Sequence, residues 1–348
     1  MPEVFCVYTD LLKAIEKRGH KSRVLGCAPD GSPVIAVKCG GDRKPAIFIG
    51  SGSHATEHAG VVAVVELMDD LKTDHEVWIL PCRDPIGLSG FPYALSLALG
   101  KAPDINTVQE AENFMREKGE VIYDEDDLLL VQIGEYGYAN RMLYRRIEKG
   151  NKALEPLRGR RIYFPSRNAD EPGAAPLERA YMQVITPDGE VLHMNRFHDT
   201  SWAPVEVQCT RRLMAKIDPK LTFDLHEYGE DGFWLSARRQ RNDEDEEWEL
   251  RMATIGAKTV KAAGATFPGE DYLPGTFFEK LEPGVFWLNA QERGEGLNLV
   301  DFAARKYGPG FTIETGMRQK LDRRVMLQKT VVQAVVAEFE KRYAQGHA

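Results

Sequence analysis

Four short stretches of this 348-residue chain carry side chains that could do chemistry together. In the first, His54-Ala55-Thr56-Glu57, an imidazole and a carboxylate stand three residues apart, and both are good zinc ligands. The spacing alone is weak evidence. With 8 histidines in the chain, about one such pair is expected by chance, and a glutamate there can simply favour the start of a helix. In the second, Asp224-Leu225-His226, the histidine falls late in an apolar run, where it can equally be a core residue. The third, Phe311-Thr312-Ile313-Glu314-Thr315-Gly316, puts a carboxylate inside an apolar strand pattern. Buried there, Glu314 needs a cation, a hydrogen-bond network or a catalytic task, unless it faces solvent at the strand end. The fourth, Met194-Asn195-Arg196-Phe197, sets a guanidinium fork beside an amide. That pair suits a carboxylate, although a surface arginine in an ion pair would look the same.

Together the four share one logic. His54, Glu57 and His226 supply two imidazoles and one carboxylate for a single zinc ion, leaving a fourth position for water. Glu314 can accept the proton of that water, and Asn195 with Arg196 can hold the free carboxylate of a substrate.

The elements that must position these groups follow from periodicity. The fully apolar run 46–50 predicts a buried strand ending just before His54, and 59–72 predicts a helix starting just after Glu57. With a further strand at 76–81 this is the strand–helix–strand pattern of an α/β sheet. Strands are also expected at 23–27, 33–38, 221–227 and 311–315, and helices at 9–18, 205–217, 243–263 and 321–344. The middle, about 91–190, is harder. It suggests helices near 107–118 and 138–150, an acidic stretch at 124–127, and a hairpin over 181–194 about Pro187-Asp188-Gly189. With no clear linker, the expectation is one α/β domain over 1–348: a mixed, mostly parallel twisted sheet flanked by helices, with a long insertion at about 90–190.

Composition narrows the function classes. Hydrophobic residues make up 43% and charged residues 28%, which is ordinary globular usage. The 45 Lys and Arg against 53 Asp and Glu leave a formal charge of −8, so no nucleic-acid partner is expected. No run of eighteen apolar residues occurs, so no membrane span is expected. Five widely spaced cysteines form no zinc-ribbon pair and read as buried or free thiols of a reducing compartment. The first eighteen residues lack the apolar core of a signal peptide, which predicts a cytoplasmic protein.

With these motifs in this order, the sequence resembles the zinc carboxypeptidase family of the funnelin type. The resemblance rests on His54-x-x-Glu57, Asn195-Arg196, Asp224-x-His226 and Ile313-Glu314, with fainter matches at 80–87, Pro204-Val205-Glu206 and 23–50. It covers about 20–90 and 190–340. It implies one zinc ion on His54, Glu57 and His226, Glu314 as general base, and a small peptide substrate held by its terminal carboxylate at Asn195 and Arg196. The related desuccinylase and aspartoacylase group shares these motifs and implies an N-acyl amino acid substrate instead. An additional arginine that steadies the oxyanion would come from Arg141, Arg145 or Arg146. Two departures stand out: Thr56 replaces an arginine common in the zinc motif, and Asn289-Ala290-Gln291-Glu292-Arg293 stands where a mobile tyrosine is usual. His58 is read as a structural or supporting neighbour of Glu57, and His193 and His198 as loop histidines that are either exposed or pocket-lining.

Overall fold

The computed structural model describes residues 3–165, 177–239, 242–288 and 296–344. The site rests on a nine-stranded sheet. In chain order its strands are β1 (Ser22–Cys27), β2 (Pro33–Gly40), β3 (Arg43–Ser51), β4 (His75–Leu80), β11 (Leu221–Tyr228), β12 (Phe233–Arg238), β13 (Phe278–Glu282), β14 (Val285–Leu288) and β15 (Gly310–Gly316). Their spatial order is β1-β2-β4-β3-β11-β15-β12-β14-β13. The central four, β4, β3, β11 and β15, run parallel, while the pairings that join β2 and β12 to this group are antiparallel. The sheet is therefore mixed, with its parallel part confined to the centre and the β12–β14 pair.

The expected apolar runs explain that centre. Along β3 and β4, Ile47, Ile49, Val77 and Ile79 point into one core, whereas Ala46, Phe48, Trp78 and Leu80 point into another. Strands buried on both faces need apolar residues at every position. One face is covered by α1 (Tyr8–Lys17), α2 (His58–Asp70), α7 (Asp243–Ala262) and α9 (Leu321–Ala344). The other is covered by α6 (Val205–Ile217) and α8 (Leu299–Lys306). No described helix is long and apolar enough to cross a membrane.

The segment that sequence periodicity left open builds a second, six-stranded sheet. Three short helices lead into it: α3 (Pro85–Leu88), α4 (Phe91–Leu99) and α5 (Val108–Lys118). Its strands are β5 (Glu120–Glu125), β6 (Leu128–Ile133), β7 (Tyr136–Ala139), β8 (Arg161–Pro165), β9 (Ala180–Ile185) and β10 (Val191–His193), in the reverse of chain order. The expected hairpin is the antiparallel β9–β10 pair, and the acidic stretch is the end of β5 with its turn into β6. The expected helix at 138–150 does not form. Leu143 and Ile147 are buried at helical spacing, but they anchor an irregular turn in which Arg145 takes φ +65°. All five cysteines are free thiols, Cys6 and Cys27 exposed and Cys82 and Cys209 buried.

Candidate metal centre

His54 and Glu57 sit in the loop between β3 and α2, where Gly52 turns the chain at φ +60°. In β11 the pleat sends Asp224 and His226 to one face of the sheet and Leu225 and Glu227 to the other. The parallel register sets Leu225 beside Ser51 and His226 beside Glu314, so the carboxyl ends of three adjacent strands converge. Ligands of open α/β sheets bind at that edge.

His54, Glu57 and His226 come together as expected, their ligand atoms all within 4.8 Å of one another. Glu57 bridges the two rings: Oε1 lies 2.7 Å from His54 Nδ1 and Oε2 lies 2.6 Å from His226 Nδ1. The outer nitrogens are engaged as well. His226 Nε2 is 2.9 Å from Asp224 Oδ2, and His54 Nε2 is 2.9 Å from His193 Nδ1. A proton on each Nε2 leaves both Nδ1 lone pairs aimed at the space beside Glu57. Outer contacts of this kind orient metal-bound histidines. Two convergent imidazoles and a carboxylate therefore fit a divalent cation.

The electrostatics agree. Burial disfavours charge on Glu57, but the two imidazoles outweigh it and hold its carboxyl at about 2. Burial alone would lower His226, yet Asp224 and Glu57 raise it well above its ordinary value. Burial drives Glu314 well above the carboxyl range; His226 opposes this, while Glu57, Asp224 and Glu227 reinforce it. Glu314 Oε2 is buried with no hydrogen-bond partner among the described residues.

Asn195 does not do what its sequence context suggests. It is buried, and its amide faces inward rather than toward a substrate. Nδ2 donates to Asp224 Oδ2 at 2.9 Å, sharing that oxygen with His226, while Oδ1 accepts from Leu299 N at 3.1 Å and Arg83 at 3.4 Å. An amide committed on both sides has little left for a ligand. Arg196 does reach the pocket wall, steadied by an Nη1 bond of 2.8 Å to the Asn195 carbonyl.

The expected site residues do not include Arg83, and of the two readings open for His193 the structure shows the pocket-lining one. Arg83, noted only as part of a loop resemblance, is buried and forms an ion pair with Asp224. His193, read as a loop histidine, is buried at the end of β10 against His54. Its neighbour in the sequence pattern, His198, is also buried, with neither ring nitrogen bonded among the described residues. His58 turns away from the centre, where its Nε2 accepts from Phe5 N at 3.2 Å, which is a structural role. Asn289–Arg293 lie outside the described residues.

Beside the ligands lies a cavity of about 680 Å³, walled by His54, Glu57, Tyr144, Arg145, Tyr181 and Arg196 among others. Tyr181 stacks on His54 at 4.8 Å, and Tyr144 meets His193 edge-on at 5.2 Å. A larger cavity of about 1070 Å³, near Arg43, Lys220 and Pro309, opens at the amino ends of the central strands. That end carries none of the convergent donors.

No family model matches the sequence, and no curated protein is significantly similar to it. Solved structures do match. Carboxypeptidase A of Helicoverpa armigera superposes with a TM-score of 0.50 at 12% identity, over 97% of this chain and 72% of that one. The fold is carboxypeptidase-like. A metallo-carboxypeptidase of Burkholderia cenocepacia is similar at 11% identity and TM-score 0.49, over 96% and 68% of the two chains. Bovine thrombin-activatable fibrinolysis inhibitor is similar at 12% identity and TM-score 0.48, over 98% of each. In this carboxypeptidase-like fold, the second sheet provides one wall of the cavity through Tyr181 and His193, and the turn after β7 adds Tyr144 and Arg145.

Proposed function

We propose that the chain is a zinc-dependent hydrolase of the metallocarboxypeptidase type, which releases the C-terminal residue of a peptide. The observation that carries this is the pairing of two Nδ1 atoms and the Glu57 carboxylate with a buried Glu314 oxygen, one strand away, that has no hydrogen-bond partner among the described residues. His54, Glu57 and His226 would hold the zinc. When bound, zinc would polarise the scissile carbonyl and lower the pKa of water.

The chain's own groups supply the remainder. Glu314 takes the proton of the attacking water on its free oxygen and returns it to the leaving amine. Its position beside His226, with Glu57 and Asp224 near, ties its proton affinity to the charge at the ligand set. Arg196 holds the terminal carboxylate with its planar fork. Asn195 and Arg83 keep Asp224 in place behind His226, so the ring cannot rotate away from the site.

The test is amino-acid release by zinc-loaded protein from free-ended peptides, C-terminally amidated peptides and N-acyl amino acids. Release from free-ended peptides alone, lost in Glu314→Gln with zinc content unchanged, is the expected result. Cleavage of the N-acyl amino acids alone would assign the deacylase chemistry instead.

A further inference from the structure

The wall of the catalytic cavity contradicts the charge of the whole chain. The protein carries a formal charge of −8, yet Arg141, Arg145, Arg146 and Arg196 all line the cavity, and among the described residues Glu57 is the only carboxylate of its lining. Glu57 is already committed to the metal ligand set. Among the described residues, the lining offers a basic side chain no carboxylate beyond that set.

Three of these arginines come from one turn of the inserted sheet, and that turn is fixed. Leu143 and Ile147 are buried beneath it. Between them Arg145 takes φ +65°, which an L-residue adopts only when its surroundings impose it. Its guanidinium lies 5.0 Å from the centre of the Tyr144 ring, and that ring meets His193 at 5.2 Å. The chain of contacts Arg145–Tyr144–His193–His54 thus ties one arginine to a metal ligand. The Tyr144 phenol feels both Arg196 and Arg145: burial alone would raise it, but the two cations bring it below 10.0. Arg141 pairs with Asp127, and Arg146 approaches the same carboxylate at 3.6 Å. Asp127 is largely exposed, so this pairing offsets little of the local positive charge.

We propose that the cavity is built for a doubly charged chain end: a released residue whose side chain is itself a carboxylate, with Arg196 and Arg145 dividing the two anionic groups between them. This rests on the hydrolase reading and names its substrate class. Guanidinium–carboxylate pairs are charge-assisted and directional, and a carboxamide forms only the weaker neutral contact. An acidic terminal residue is therefore preferred over its amide isostere.

The experiment compares kcat/KM for matched free-ended peptides terminating in Glu, Gln, Asp, Asn, Leu and Lys, with the zinc-loaded protein. Glu over Gln and Asp over Asn are expected to differ by about 10- to 100-fold. Arg145→Gln is expected to reduce the Glu/Gln ratio about tenfold, and Arg145 is exposed, so this variant keeps the buried anchors of the turn. Faster release of Leu or Lys would overturn the proposal and leave the carboxypeptidase reading standing. A Glu/Gln ratio unmoved by Arg145→Gln would overturn its assignment to this arginine. If no peptide is cleaved, the hydrolase reading fails, and calorimetric titration with the same uncleaved peptides decides the substrate class. Binding at least about tenfold tighter for Glu than for Gln supports it, and equal binding overturns it.

Discussion

The two sheets of this molecule serve one site by different means. The nine-stranded sheet brings the proposed metal ligands and the candidate base to its carboxyl edge, His226 and Glu314 in register on β11 and β15 and His54 with Glu57 in the loop after β3. The six-stranded sheet supplies His193, Tyr181 and an arginine-bearing turn, which meet those ligands only through packing across the cavity. The first arrangement gathers the proposed chemical groups of this chain, and the second lines the cavity beside them. Binding groups carried on loops held by a rigid scaffold are free to vary in this way.

That division can be broken at either end. The largest effect is expected from Glu314→Gln, which should cost about 10²- to 10⁴-fold in kcat while metal content stays whole. Next is Arg83→Met. It would leave Asp224 charged and buried behind His226, and an uncompensated buried charge costs about 3–5 kcal/mol. A denaturant titration measures it, and an unchanged midpoint would show that Asp224 relies on Asn195 and His226 instead. His193→Ala probes the inserted sheet's hold on the centre. Its loss should weaken metal affinity or activity about 10- to 100-fold, seen by competition with a chelator, and no change would detach the insert from the metal site.

Two pH effects are smaller and sharper. Metal affinity should rise with pH through neutrality. Burial alone would lower His226, but Asp224 and Glu57 hold it well above its ordinary value, so its proton must leave before Nδ1 can ligate. Competition titrations at several pH values test this. Asp84, at the junction where β4 gives way to the insert, has a carboxyl raised by burial to about 7, against the Gly87 N–H that lowers it. The folded chain therefore keeps a proton that the unfolded chain releases between 3.8 and about 7. This group's contribution to stability falls as pH rises across that window and is level above it. Asp84→Asn should flatten the profile there, as read by melting temperature against pH.

Much of the main sheet was legible because its cause is local. The apolar run at 46–50 and the largely apolar patterns at 76–81, 221–227 and 311–315 read locally as strands, and each coincides with one in the structure. The insert resisted because its signals conflict. Leu143 and Ile147 mimic a helix but pin a turn, and the apolar run of β6 is masked by the acidic turn before it. Asn195 misled for another reason: an Asn–Arg pair looks the same whether the amide faces a ligand or the core.

What the chain's own order of residues determined is the set of groups available: two imidazoles and two carboxylates, each placed at or beside the end of an element whose periodicity is local. What only the tertiary structure decided is the company those groups keep. His193 reaches His54 across 139 residues, Arg83 reaches Asp224 across 141, and four arginines gather over one cavity. Such contacts depend on how two sheets pack, and packing is a property of complementary surfaces that no local spacing along the chain encodes.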